Sequence, residues 1–104
     1  MDNQNRALTW QQFINSEFDG RSYNYPDFEG DVTGKLDCKR WGSSKNLVCY
    51  FTLDSGKKII AVTWVEKNYM GLADIPTGSR VRLTFKVSRT GKSYLRNAIL
   101  IQQG

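Results

Sequence analysis

The stretch VTGKLDCKRWGSSKNLVCYFTLDSGKKIIAVTWV, residues 32–65, decides the fold class. Its apolar residues recur at every second position, the period of a strand with one buried face. In residues 32–41, Val32, Gly34, Leu36 and Cys38 share one face, and Lys35, Asp37, Lys39 and Trp41 share the other. In residues 47–53, Leu47, Cys49, Phe51 and Leu53 point one way, and Val48, Tyr50 and Thr52 the opposite way. A loop over 42–45 pairs Trp41 with Asn46 and sets Cys38 across from Cys49 on the apolar face. The tetrad DSGK at 54–57 is a tight hairpin signal. With Ser55 and Gly56 as its turn, Phe51 faces Ile60, Cys49 faces Val62 and Tyr50 lies opposite Ala61. A one-residue bulge would exchange these faces, which leaves Trp64 unassigned.

The alternation returns downstream. Residues 80–87, RVRLTFKV, point Val81, Leu83, Phe85 and Val87 inward and Arg80, Arg82, Thr84 and Lys86 outward. SRTGKS, residues 88–93, is a second basic hairpin loop, and YLRNAILI, 94–101, is the fifth strand. Residues 66–79 break the pattern and read as a connector with room for a helical turn. Upstream, TWQQFINSEF at 9–18 spaces Trp10, Phe13, Ile14 and Phe18 three and four apart, as a short helix does. Thr9 and Gln12 fit a capping box, and Gly20 fits a C-terminal stop. Tyr23, Tyr25 and Phe28 follow in a loop and suit a lid, a dimer contact or part of a groove. The chain thus divides into an acidic helix and aromatic lid, 1–29, and a β unit, 30–104. Five short strands suggest a small closed or partly open barrel, because closure removes the exposed edges.

Composition narrows the function. A chain of 104 residues holds one core and no separate cofactor domain. It has no histidine and two cysteines, too few ligands for a structural zinc site and no commonest general base. Cys38 and Cys49 read as small buried hydrophobes. No carboxylate pair, nucleophile–base pair or phosphate loop is visible, so an enzyme is not expected, and neither is a metal or a cofactor. The GKS at 91–93 lacks the glycine that a phosphate loop needs five residues earlier, where Lys86 stands. No apolar run is long enough to span a membrane, and the polar first ten residues do not resemble a signal peptide. The expectation is a cytoplasmic protein without a membrane partner. Residues 1–31 carry two cations against six acids and residues 32–104 thirteen cations against four acids, so −4 sits on the N-terminal third and +9 on the rest. A basic body suggests a polyanionic partner.

The order of a three-strand meander, a connector and a closing hairpin resembles the OB-fold over residues 30–101, carried by VTGKLDCKRW, IPTGSRVRLTF and RTGKSYLRNAILI. In pattern the chain is similar to single-stranded DNA-binding proteins and to replication proteins of phage or plasmid type. It departs from the bacterial members in ending at IQQG, without an acidic tail. The resemblance implies a ligand lying across strands 2 and 3, between the loops KRWGSSKN (39–46) and SRTGKS (88–93). Single-strand binding needs cations along the backbone path and aromatic plates for bases. The expected nucleic-acid-binding residues are therefore Lys35, Lys39, Arg40, Trp41, Lys45, Tyr50, Arg89 and Lys92. Trp41 serves as a stacking plate or a barrel cap, and Tyr50 is open to ligand or covered by the lid. The expected role is non-catalytic binding of single-stranded DNA, with RNA and a homo-oligomer left open, in replication, recombination or DNA transfer. The alternative is a protein–protein interaction adaptor on the same small β unit.

Overall fold

The computed structural model describes residues 7–43, 46–64 and 69–104, the side chains of residues 64, 69 and 70 excepted. Five antiparallel strands form one sheet: β1 (Gly30–Trp41), β2 (Asn46–Leu53), β3 (Lys58–Trp64), β4 (Arg80–Val87) and β5 (Ser93–Gln102), in the order β3-β2-β1-β4-β5. The sheet is not closed into a barrel. β3 and β5 approach each other, but among the described residues no ladder joins them.

The β2–β3 and β4–β5 hairpins each turn through three residues, where the sequence suggests two at Ser55-Gly56. Leu53 N–H bonds to the Lys57 carbonyl at 2.8 Å around Asp54-Ser55-Gly56, and Ser88 N–H bonds to the Lys92 carbonyl at 2.8 Å around Arg89-Thr90-Gly91. Gly56 (φ 93°) and Gly91 (φ 83°) take the left-handed position that closes such loops. The extra turn residue shifts β3 by one against the expected register, so Phe51 pairs with Ile59, Cys49 with Ala61 and Tyr50 with Ile60. Ile59, Ala61 and Thr63 consequently fill the inner face. Trp64 pairs with Asn46, and its side chain lies outside the described residues.

A bulge at Asp37 makes the second correction. Leu36 pairs with Phe51, but Cys38 pairs with Tyr50, Lys39 with Cys49 and Trp41 with Leu47. Two residues, Asp37 and Cys38, face one partner there, and every later side chain changes face. Cys38 therefore turns outward, away from Cys49, while Lys39 turns inward. The carboxylate of Asp37 is held on the outer face by the hydroxyls of Tyr23 (2.8 Å) and Thr52.

The inner face holds the main core: Leu36, Leu47, Cys49, Phe51, Ile59, Val81, Leu83 and Phe85, closed by Leu72 and Ile75 of the connector. Fully burying Phe51 or Phe85 is worth about 1.5–3 kcal/mol relative to exposure. A second, smaller cluster lies on the outer face, where Tyr23, Cys38, Val48 and Tyr50 pack under Leu8, Phe13, Phe18 and Ile60.

That second cluster exists because residues 8–28 run across the sheet as a strap. Leu8 N–H bonds to the Lys39 carbonyl, and Trp41 N–H to the Leu8 carbonyl, both at 2.9 Å, on the free edge of β1. At the far side, Asn24 N–H bonds to the Lys58 carbonyl (3.2 Å) and Ile60 N–H to the Asn24 carbonyl (2.9 Å), on the free edge of β3. Asn24 thus occupies the edge that β5 would need for closure. Between the clamps, helix α1 (Trp10–Asn15) carries the expected capping box of Thr9 and Gln12. It stops at Ser16, however, and Gly20 opens a 3₁₀ turn, Gly20–Ser22, instead of ending the helix.

Candidate nucleic-acid interface

The eight expected residues part company in the fold. Lys39 is 1% exposed, and its Nζ donates to the carbonyls of Leu72 (3.2 Å), Ala73 (2.8 Å) and Ile75 (2.7 Å). It fastens the 3₁₀ segment Tyr69–Asp74 beneath the sheet and offers nothing to a ligand. Burial lowers its pKa by disfavouring the ammonium. Tyr50 lies on the outer face, as alternation requires, but the strap covers it to 4% exposure. Lys45 lies outside the described residues. Lys35, Arg89 and Lys92 are exposed.

Arg40 and Trp41 build one margin of the outer face. The Arg40 guanidinium carbon sits 5.2 Å from the ring centres of Trp10 and Phe13 and 5.9 Å from that of Tyr50. Its Nε donates to the Tyr50 hydroxyl at 3.0 Å, and Nη1 to the Trp41 carbonyl at 3.4 Å. Such cation–ring contacts are worth about 0.5–2 kcal/mol, so Arg40 rivets the strap to the sheet. Trp41 shares the parity of Lys39 but stays 38% exposed because it ends β1, past the core. Beside it stands Trp10, 57% exposed. Thr9, Trp10, Arg40, Trp41, Gly42 and Ser43 line an open groove of about 550 Å³. Periodicity places Trp10 on the packed side of α1, and only the strap's path brings it next to Trp41.

The other margin lies where β3 and β5 fail to pair. Tyr25, Pro26, Val62, Ser93 and Tyr94 are among the residues that line a cavity of about 210 Å³, and Tyr25, Pro26, Asp27, Gly91, Lys92 and Ser93 line its neighbour of about 470 Å³. Tyr25 is 72% exposed, and Tyr94, opposite Lys86 in the β4–β5 ladder, is an open plate as well. Arg40, Val48 and Val62 form one rung across β1, β2 and β3. At about 4.8 Å per strand, the two margins stand about 10 Å apart at their nearest backbone. The strap crosses the sheet from one margin to the other.

Charge is arranged around the same surface. Arg82 and Lys86 are exposed on β4, whereas Arg80 is taken by Asp54 through bonds of 3.1 and 2.6 Å. Acidic residues before and at the start of β1 lie beside this row. Asp27 pairs with Lys57 at 3.1 Å, Glu29 accepts from Val87 N–H at 3.3 Å, and Asp31 accepts from the Thr84 hydroxyl at 2.8 Å. Cys38 and Cys49 are free and buried, and burial pushes their thiols up to about 11 and about 12. Neither is a reactive thiolate at neutral pH. Among the described residues no helix is long and apolar enough to cross a membrane. Compared with models of protein families, with curated proteins and with solved structures, the chain matches none.

Proposed function

We propose that the chain is a single-stranded nucleic-acid-binding module, most simply for DNA, acting without catalysis in replication, recombination or DNA transfer in the cytoplasm. The observation that carries this reading is the open groove in which Trp10 and Trp41 flank Arg40 on a chain of net charge +5. Two exposed indoles next to a cation supply stacking plates at a phosphate-compatible site, and stacking is worth about 1–3 kcal/mol per base. Tyr25, Tyr94 and Lys92 repeat the combination at the second margin. The strand order β3-β2-β1-β4-β5 agrees with an OB-fold opened between its third and fifth strands, and this supports the resemblance read from the sequence. The deciding experiment is titration with dT and rU oligomers at two salt concentrations, followed by tryptophan fluorescence, with the mass of the complex measured in solution. Saturable quenching that weakens with salt is expected. Absence of binding to a long oligomer at low salt overturns the reading.

A second reading is favoured by one feature. Trp10, Ile14 (50% exposed) and Trp41 leave apolar surface on and beside α1. Small β units also serve as docking platforms, and a protein partner would bury this patch. Failure of the oligomer titration would leave the adaptor as the better account.

A further inference from the structure

The strap supplies to the sheet what a single strand of nucleic acid would supply. Phe13 lies on Tyr50 with ring centres 5.6 Å apart and planes at 16°, the near-parallel arrangement of a base on an aromatic plate. Phe18 and Tyr23 meet the same ring edge-on, at 5.1 Å and 5.3 Å. Between these rings the strap carries exposed carboxylates, Glu17 and Asp19, the second paired with Arg21 of the strap at 3.1 Å. Rings thus alternate with charged groups whose sum between Phe13 and Tyr23 is negative, as bases alternate with phosphates. The body answers with cations: Arg40 lies over Phe13, and Lys58 Nζ lies 5.4 Å from the Tyr23 ring centre.

The fastening is light. α1 has six residues and none of them is buried. A helix so short does not persist by itself in water. What holds the strap is the aromatic packing, the Arg40 rivet, the Tyr23 hydroxyl donated to Asp37 at 2.8 Å and the four backbone hydrogen bonds made by Leu8 and Asn24 at the two strand edges, and among its described residues only Tyr23 is buried. Segments with few buried contacts open locally without global unfolding.

Resting on the nucleic-acid reading above, we propose that the strap is an internal stand-in for the ligand. It keeps the outer face of β1, β2 and β3 closed, and a single strand that spans both margins binds by displacing its middle, residues 11–23, while the Leu8 and Asn24 clamps keep Trp10 and Tyr25 at the margins. Bases then take the places of Phe13 and Phe18 on Tyr50, and a phosphate that of Glu17. The apparent affinity of the closed protein is reduced by the fraction of molecules in which the strap is open.

The test uses the full chain and two measurements. Amide hydrogen exchange is followed at Phe13, Ser16 and Tyr23, whose N–H groups bond within the strap to the carbonyls of Thr9, Phe13 and Gly20, with and without a dT oligomer long enough to span both margins. Displacement predicts that all three lose protection when the oligomer binds, while the clamp amides of Leu8, Asn24, Trp41 and Ile60 and core amides such as Phe51 keep theirs. In parallel, Phe18→Ala removes a ring that packs on Tyr50 and Tyr23 and loosens the cover without touching Trp10 or Trp41. It should bind the oligomer about tenfold more tightly than the parent if the strap is open in about a tenth of molecules. If the oligomer quenches tryptophan fluorescence but the three amides stay protected and the variant binds no better, the strap is a fixed part of the fold. The stand-in is then overturned while the binding reading stands. If no oligomer binds the parent or the variant, both fall together.

Discussion

Lys39 lies directly opposite Cys49 in the β1–β2 ladder, on the inner face of the sheet. A lysine reaches that position because the Asp37 bulge inverts the parity of the strand, and it stays because three carbonyls meet its ammonium. Replacing it by methionine keeps the volume but leaves those carbonyls without a donor. We expect Lys39→Met to cost about 1–3 kcal/mol of stability, measured by chemical denaturation. Oligonucleotide affinity of the folded fraction should be unchanged, the opposite of what a phosphate contact would give.

Trp41→Ala should weaken single-strand binding by about 1–3 kcal/mol, and Trp10→Ala by less, because it removes a plate but also loosens the strap that competes with the strand. Their effects on folding should differ. Trp41 ends a strand, and its loss should hardly move the melting temperature. Trp10 stacks on Phe13 at 5.8 Å and helps cage Arg40, so its loss should also loosen the strap. A Trp41 variant that binds normally and melts much earlier would make the indole a cap.

Arg89 stands on the three-residue turn beside the second margin, and Lys92 closes that turn and lines the margin. If both meet phosphates, Arg89→Ala with Lys92→Ala should reduce the slope of log affinity against log salt by about 1.4, at about 0.7 per contact. An unaltered slope would place this loop outside the ligand path.

Neutralising Asp27, Glu29 and Asp31 as Asn, Gln and Asn keeps oxygen acceptors for Val87 N–H and Thr84. It removes three negative charges from beside β4 and the Arg89–Lys92 turn. Binding should tighten at low salt and change little near physiological salt, where screening acts over about 8 Å. Equal affinity of the parent and the triple variant at low salt would remove the acidic segment from the electrostatics of the site.

Alkaline pH should destabilise the fold. Burial, with the hydrogen bond to Asp37, pushes Tyr23 up from 10.0 to about 12, and burial, against the pull of Lys39, pushes Cys49 from 9.0 to about 12. The unfolded chain releases these protons first, so stability is whole below pH 9.0 and falls as pH rises toward 12. Lys39 works the other way: its pKa is lowered, so its contribution improves as pH rises toward 10.5. Thermal melts from neutral pH upward should show a net decline, shallower in Tyr23→Phe over the upper part of that window. A flat profile would mean that these groups ionise alike in the folded and unfolded chains.

What the sequence determined alone were the five strands, their approximate limits and the places of the β2–β3 and β4–β5 turns, because period-two patterning and Gly-marked turns are local properties. It also identified the capping box and the burial of both cysteines. The faces beyond Asp37 were not legible, since a bulge is a pairing event with β2 and leaves the alternation on paper intact. The same holds for β3, where one added turn residue moved every partner by one. The path of residues 8–28 was decided only by tertiary structure. Leu8 and Asn24 find strand edges that exist only once the sheet has formed, and their hydrogen bonds carry no sequence signal. That path covers Tyr50, brings Trp10 to Trp41, and keeps β5 from closing on β3. Lys39, read as a surface cation from its neighbours in the chain, became an internal fastening because its partners are carbonyls more than thirty residues away.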